Sequence, residues 1–186
     1  MLKKTLTTGL ISLLSLSAFS AFAQDNAITF RGSVSSQTCD IKVNESTSGS
    51  PIILLNPAKI ADLATAGNTS TPTTFKLTLS GCTAPATGSS GLVIKTLFAS
   101  NNVDTSGHLE NIITGNSAAT HVAIQLLDPD DTPIDLSTGK KIAKAFTLAA
   151  GQTSGEAQYT AQYIATGGAA TAGDIEANVQ YSIVYP

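Results

Sequence analysis

Apolar and polar residues alternate with a period of two along most of this chain. Ile28-Thr29-Phe30-Arg31-Gly32-Ser33-Val34 alternates, as do Phe75 to Leu79 and Val122 to Leu126, each bounded by Gly, Pro, Asn, Asp or Ser. Because successive side chains of an extended chain point to opposite faces, these are half-buried strands. The apolar runs Ile52 to Leu55 and Leu92 to Ile94, with Lys144 to Leu148, Ala157 to Ile164 and Ile175 to Tyr185, add further strands. About nine short strands with turn signals between them predict an all-β sandwich or barrel. Residues 83–91, 100–107, 128–133 and 165–173 are rich in small and turn-forming residues and read as loops. The one helical signal is Asn56 to Leu63, with Asn56 as cap and Pro57 at the first position, enough for one or two turns.

The first 23 residues depart from this rhythm. Lys3 and Lys4 precede an apolar stretch from Leu10 to Phe22, closed by Ala21-Phe22-Ala23, the charged, apolar and small-residue order of a secretory signal peptide. Ser12, Ser15, Ser17 and Ser20 interrupt the stretch, which is short for a membrane span. Cleavage before Gln24 leaves 163 residues, the size of one domain with its own core.

Export changes how the two cysteines are read. An even count in an oxidising compartment points to a Cys39–Cys82 bridge, whereas a metal site would need further ligands that neither His108 nor His121 offers at a suitable spacing. Closing that loop of 44 residues stabilises the fold by about 4 kcal/mol on a chain-entropy argument. The whole chain is 42% hydrophobic, 12% charged and 5% aromatic, with a formal charge of −3 that becomes −5 when Lys3 and Lys4 leave. An acidic, sparsely charged surface argues against nucleic acid or an anionic membrane as partner.

Catalytic patterns are missing from the sequence. Gly88-Ser89-Ser90-Gly91 and Ser154-Gly155 lack the five-residue nucleophile elbow. Asp128-Pro129-Asp130-Asp131-Thr132-Pro133 superficially matches a calcium loop, but Pro133 sits where that loop needs Gly and no Glu closes it, so an acidic hairpin turn is expected. No cofactor, metal or small-molecule substrate is expected. Asn44-Glu45-Ser46 and Asn68-Thr69-Ser70 match glycosylation sequons, which have meaning only where the machinery exists.

The two ends are more informative. All four tyrosines lie near the C-terminus in pairs four apart, Tyr159 with Tyr163 and Tyr181 with Tyr185, so each pair shares a face in extended chain. The last segment puts Val179, Tyr181, Ile183 and Tyr185 on one face, against Asn178, Gln180, Ser182 and Val184. The first places Ile28, Phe30, Gly32 and Val34 opposite Thr29, Arg31 and Ser33. A strand so near a free end can seal its own sheet or pair with another molecule's open edge.

Several pieces, in order, resemble a pilin of the chaperone–usher (type 1 fimbrial) family. They are Ile28 to Val34 followed by Thr38-Cys39, Thr74 to Cys82, Val122 to Asp128, Tyr159 to Tyr163, and a finish with Gly173, alternating apolar residues and penultimate Tyr185. The resemblance implies an incomplete immunoglobulin-like β-sandwich whose seventh strand is supplied by another subunit. It divides the chain into a signal peptide (1–23), an N-terminal donor-strand extension (24–36) and a pilin domain (37–186). In the family a periplasmic chaperone's strand first pairs with the C-terminal strand, here Val179, Tyr181, Ile183, Tyr185 and Pro186 following Gly173, and basic chaperone residues hold the terminal carboxylate. At the outer-membrane usher that strand is exchanged for the next subunit's extension, whose inward face corresponds to Ile28, Phe30, Gly32 and Val34. Gly32 suits close approach to a shallow part of a groove, while Asn26 is polar where a major subunit often carries an apolar residue. The implied product is a head-to-tail polymer on the cell surface that supports adhesion. The rival is a secreted monomeric sandwich that binds carbohydrate and completes its own sheet with residues 26–34.

Overall fold

In the computed structural model, which describes residues 39–185, nine strands form in this order. They are β1 Asp40–Val43, β2 Thr69–Ser80, β3 Leu92–Ala99, β4 Leu109–Glu110, β5 Val122–Leu127, β6 Lys140–Ile142, β7 Phe146–Leu148, β8 Gly155–Ala165 and β9 Gln180–Val184. The leader, the extension with Ile28, Phe30, Gly32 and Val34, and Pro186 lie outside the described residues. The three longest strands, β2, β3 and β8, each turn an apolar face to the core: Phe75, Leu77 and Leu79 on β2, Ile94 and Phe98 on β3, Ala157, Tyr159 and Ala161 on β8.

All the ladders are antiparallel, and they make two sheets. One has the order β1-β2-β8-β5-β4; in the other β3 pairs with β6, β7 and β9. Leu97, Phe98 and Ala99 pair with β6 and β9 at once, so those two strands flank β3 on opposite edges. The β2–β8 register slips between Ser70 and Thr73, a bulge that puts Thr71 at φ 54°.

Tyr159 of β8 joins the two sheets through the core. Its hydroxyl donates to Thr96 Oγ1 of β3 at 2.8 Å, and its ring meets Phe98 edge-on at 5.1 Å and Phe75 at 5.7 Å. Both Tyr159 and Thr96 are completely buried, so each hydroxyl depends on the other for a partner. A smaller apolar cluster of Leu63, Ala119, Val122, Ala165 and Ala170 closes one end. The Cys39–Cys82 disulfide joins the residue before β1 to the loop after β2, with Cα atoms 4.3 Å apart.

Three local expectations change. The helix is a single 3-10 turn, Ile60–Leu63, entered from extended Lys59 without a side-chain cap, and Leu63 is its only buried residue. Ile52 to Leu55 forms no strand and joins no ladder among the described residues. Strands β1, β4 and β6 were not foreseen; each has two to four residues, too few to show a period. The acidic stretch is a turn, as expected: Asp128 N–H donates to Thr132 O at 2.9 Å, and Leu127 bridges to Pro133.

Candidate functional site

From Ile175 to Tyr185 the chain keeps a two-residue rhythm. Ile175, Ala177, Val179, Tyr181, Ile183 and Tyr185 are half-buried against the larger core, while Glu176, Asn178, Gln180 and Ser182 are exposed. The parity is that of the sequence, but the degree of burial differs from the neighbouring strand. Ile94, Thr96 and Phe98 on β3 are sealed, whereas none of the six is. Among the described residues β9 pairs only with β3, from Lys95↔Val184 to Ala99↔Gln180, and its other edge has no strand beside it.

Upstream of β9 the same segment is tied down. Ile112 N–H donates to Glu176 O at 2.8 Å, Ala119 N–H to Asp174 O at 2.9 Å, and Ser100 Oγ to Asn178 O at 2.8 Å. The Asn111 side chain spans both directions, donating to Asp174 O at 2.9 Å and accepting from Glu176 N–H at 3.1 Å. Gly173 sits where any Cβ would come within 2.4 Å of Ala119 N, so its role here is close backbone approach that sets the path into the last strand.

A second apolar row comes from Pro51–Leu55. Ile53 and Leu55 are half-buried against the same core, Ile52 and Leu54 are each 84% exposed, and none of the segment's backbone groups pairs with a described residue. The sequence marked Ile52 to Leu55 as a strand but gave it no part in a site. Its unbroken apolar run, the mark of a strand covered on both faces, was the available signal. Unpaired strand backbone beside incompletely covered apolar side chains is a template for an added strand.

Chemistry of a catalytic kind has less support in the geometry. His108 Nδ1 lies 2.9 Å from Asp104 Oδ2, but its Nε2 faces the Gln125 amide at 3.4 Å, not a nucleophile. Burial raises the Asp104 carboxyl, yet hydrogen bonds from the His108 backbone and ring and from Ser106 N–H outweigh it and hold the group below its ordinary value. His121 is an exposed residue at φ 55° just before β5. Among the described residues no three His, Cys, Asp or Glu side chains converge as metal ligands. Of the two sequons, Asn44 is tied into the sheet, its Oδ1 accepting from Lys76 N–H at 2.8 Å, while Asn68 is exposed at the start of β2.

Comparison with known proteins decides the family. The family described as "Fimbrial protein" matches residues 28–186. The chain belongs to the fimbrial protein family. It is 36% identical to the F17 fimbrial protein of Escherichia coli over 177 residues, covering 93% of this chain and 94% of that one. It is 32% identical to the major fimbrial subunit SMF-1 of Stenotrophomonas maltophilia over 180 residues, covering 93% and 99%. A solved structure of a chaperone–usher pilus contains a chain that superposes with a TM-score of 0.59 at 24% identity, covering 88% of this chain and 97% of that one. The fold is therefore the immunoglobulin-like pilin sandwich, in agreement with the resemblance read from the sequence.

Proposed function

We propose that this chain is a structural subunit of a chaperone–usher fimbria and that it polymerises by donor-strand complementation. The observation that carries this reading is the row from Val179 to Tyr185, half-buried on a strand with one edge unpaired. Ile53 and Leu55 pack against the same core, and in this reading the two rows are the rims of an acceptor groove in the pilin domain, residues 37–186. The occupant is residues 24–36 of a neighbouring copy, with Ile28, Phe30 and Val34 inward and Gly32 at the shallow point, after removal of the signal peptide, residues 1–23. Burying three such side chains stabilises the joint by roughly 5–9 kcal/mol, at ~1.5–3 each, before the cost of ordering the extension.

The same groove is the docking place for a periplasmic chaperone strand, with the carboxylate of Pro186 held by basic residues of the chaperone, until exchange at the outer-membrane usher. The fibre then stands on the cell surface, and its subunits work as structural elements without a catalytic step. Substituting Phe30→Asp tests the assignment of donor and acceptor. Fibre incorporation is expected to fall at least tenfold while the chaperone complex is recovered at the level of the unsubstituted chain. Loss of the chaperone complex instead would place Phe30 in the domain's own core and overturn the reading.

A further inference from the structure

We propose that the depression beside the β2 bulge is a binding site for a neutral, hydroxylated carbohydrate, independent of the strand-exchange groove. Where β2 slips register against β8, the sheet's outer surface has a shallow, open depression lined chiefly by Asp62, Asn68, Thr69, Ser70, Thr71 and Gln162. The bulge holds Thr71, a β-branched residue, at φ 54°, in the left-handed region that such residues rarely adopt, with Pro72 next in the chain. Backbone held in this way gathers at sites that use it.

A row of polar side chains across the sheet sets how Gln162 is presented. The ladder Leu109↔Ile124 brings His108 beside Gln125, and Gln125 is the direct partner of Gln162. Asp104 accepts from His108 Nδ1–H at 2.9 Å, which leaves Nε2 as an acceptor for the Gln125 amide N–H at 3.4 Å. Gln125 Oε1 then accepts from Gln162 Nε2 at 2.8 Å, so the carbonyl Oε1 of Gln162 is without a partner among the described residues. On the opposite side, Asp62 Oδ2 accepts from Ser70 Oγ at 3.3 Å, and Ser70 Oγ lies 3.0 Å from Thr71 Oγ1.

The lining thus offers a carboxylate, an oriented amide carbonyl, hydroxyls and the exposed Asn68 amide, with no cation and no aromatic ring. Vicinal sugar hydroxyls match this set, because each can donate to one acceptor and accept from a neighbouring hydroxyl. An anion would meet the Asp62 charge unpaired, and an apolar ligand would leave the polar lining unsatisfied. Without an aromatic platform, and in an open site, affinity is on the order of millimolar.

Backbone amide NMR of the mature chain in its chaperone complex, titrated with methyl glycosides of glucose, galactose, mannose and N-acetylglucosamine, tests this. Shifts confined to residues 62–72 and 162 are expected for at least one glycoside. Asp62→Ala, in the exposed 3-10 turn, and Gln162→Leu, on the outer face of β8, should each weaken binding at least fivefold. His108→Phe should weaken it two- to fivefold and move the Gln162 side-chain amide signals, which a merely structural change elsewhere would leave in place. Shifts scattered over the surface, equal affinity in the Asp62 and Gln162 variants, or tighter binding of N-acetylneuraminate or inorganic phosphate at the same amides would overturn the proposal.

Discussion

Tyr159 shows how much of the sandwich rests on single side chains. Its hydroxyl and that of Thr96 are each other's buried partner across the two sheets, so Tyr159→Phe leaves Thr96 Oγ1 without one while keeping the ring contacts to Phe75 and Phe98. The expected loss is about 1–2 kcal/mol, read as a lower urea midpoint at unchanged slope. An unchanged midpoint would mean the Tyr159–Thr96 pair contributes nothing net. Asp104 makes a pH-dependent contribution. Its folded carboxyl titrates below the ordinary value, so its stabilisation is present above the unfolded pKa of about 3.9 and is lost as pH falls through the lower, folded value. Asp104→Asn should therefore flatten the acid limb of the stability curve, measured by thermal unfolding between about pH 2 and 6. The sequence showed that Tyr159 and Tyr163 share a face, because an interval of four fixes parity in an extended chain. It did not show the Thr96 partner, since pairing between sheets has no local signature. Nor did it show the role of Gly173, which lies in the backbone of Ser117 to Ala119 pressing against it.

At the level of elements, legibility followed length and two-sidedness. Strands β2 and β8 were visible because residues such as Phe75, Leu77, Leu79, Ala157 and Tyr159 face a sealed core on one side, while β5 alternates in sequence but is buried on both faces except at Gln125. Strand β6, Lys140-Lys141-Ile142, has three exposed residues and exists through its ladder with Leu97 to Ala99, a long-range fact. The opposite error occurred at Ile52 to Leu55, whose apolar run predicted a strand that has no ladder among the described residues. That mismatch is informative in itself. A sequence shaped for strand pairing and burial, found outside every ladder of the described residues with Ile52 and Leu54 exposed, is what the proposed acceptor groove requires of its rim. The open edge of β9 has the same character, and the patterning of its residues was legible while their incomplete burial was not.

For the whole molecule, the proposed acceptor groove and donor segment lie at different places on one chain, so their contact is heterologous, and repeating it without closure gives an open filament. The proposed fibre follows from that geometry once the groove accepts the segment. The deciding measurement is hydrogen exchange on the chain from Gln24 to Pro186, released from its chaperone, with and without a synthetic peptide spanning Gln24 to Ser36. The peptide is expected to slow exchange at least tenfold in Pro51–Leu55 and in Val179–Tyr185, and to leave β2 and β8 unchanged. Full protection of both segments in the isolated chain, with no response to the peptide, would show a domain already sealed by its own residues and contradict the account.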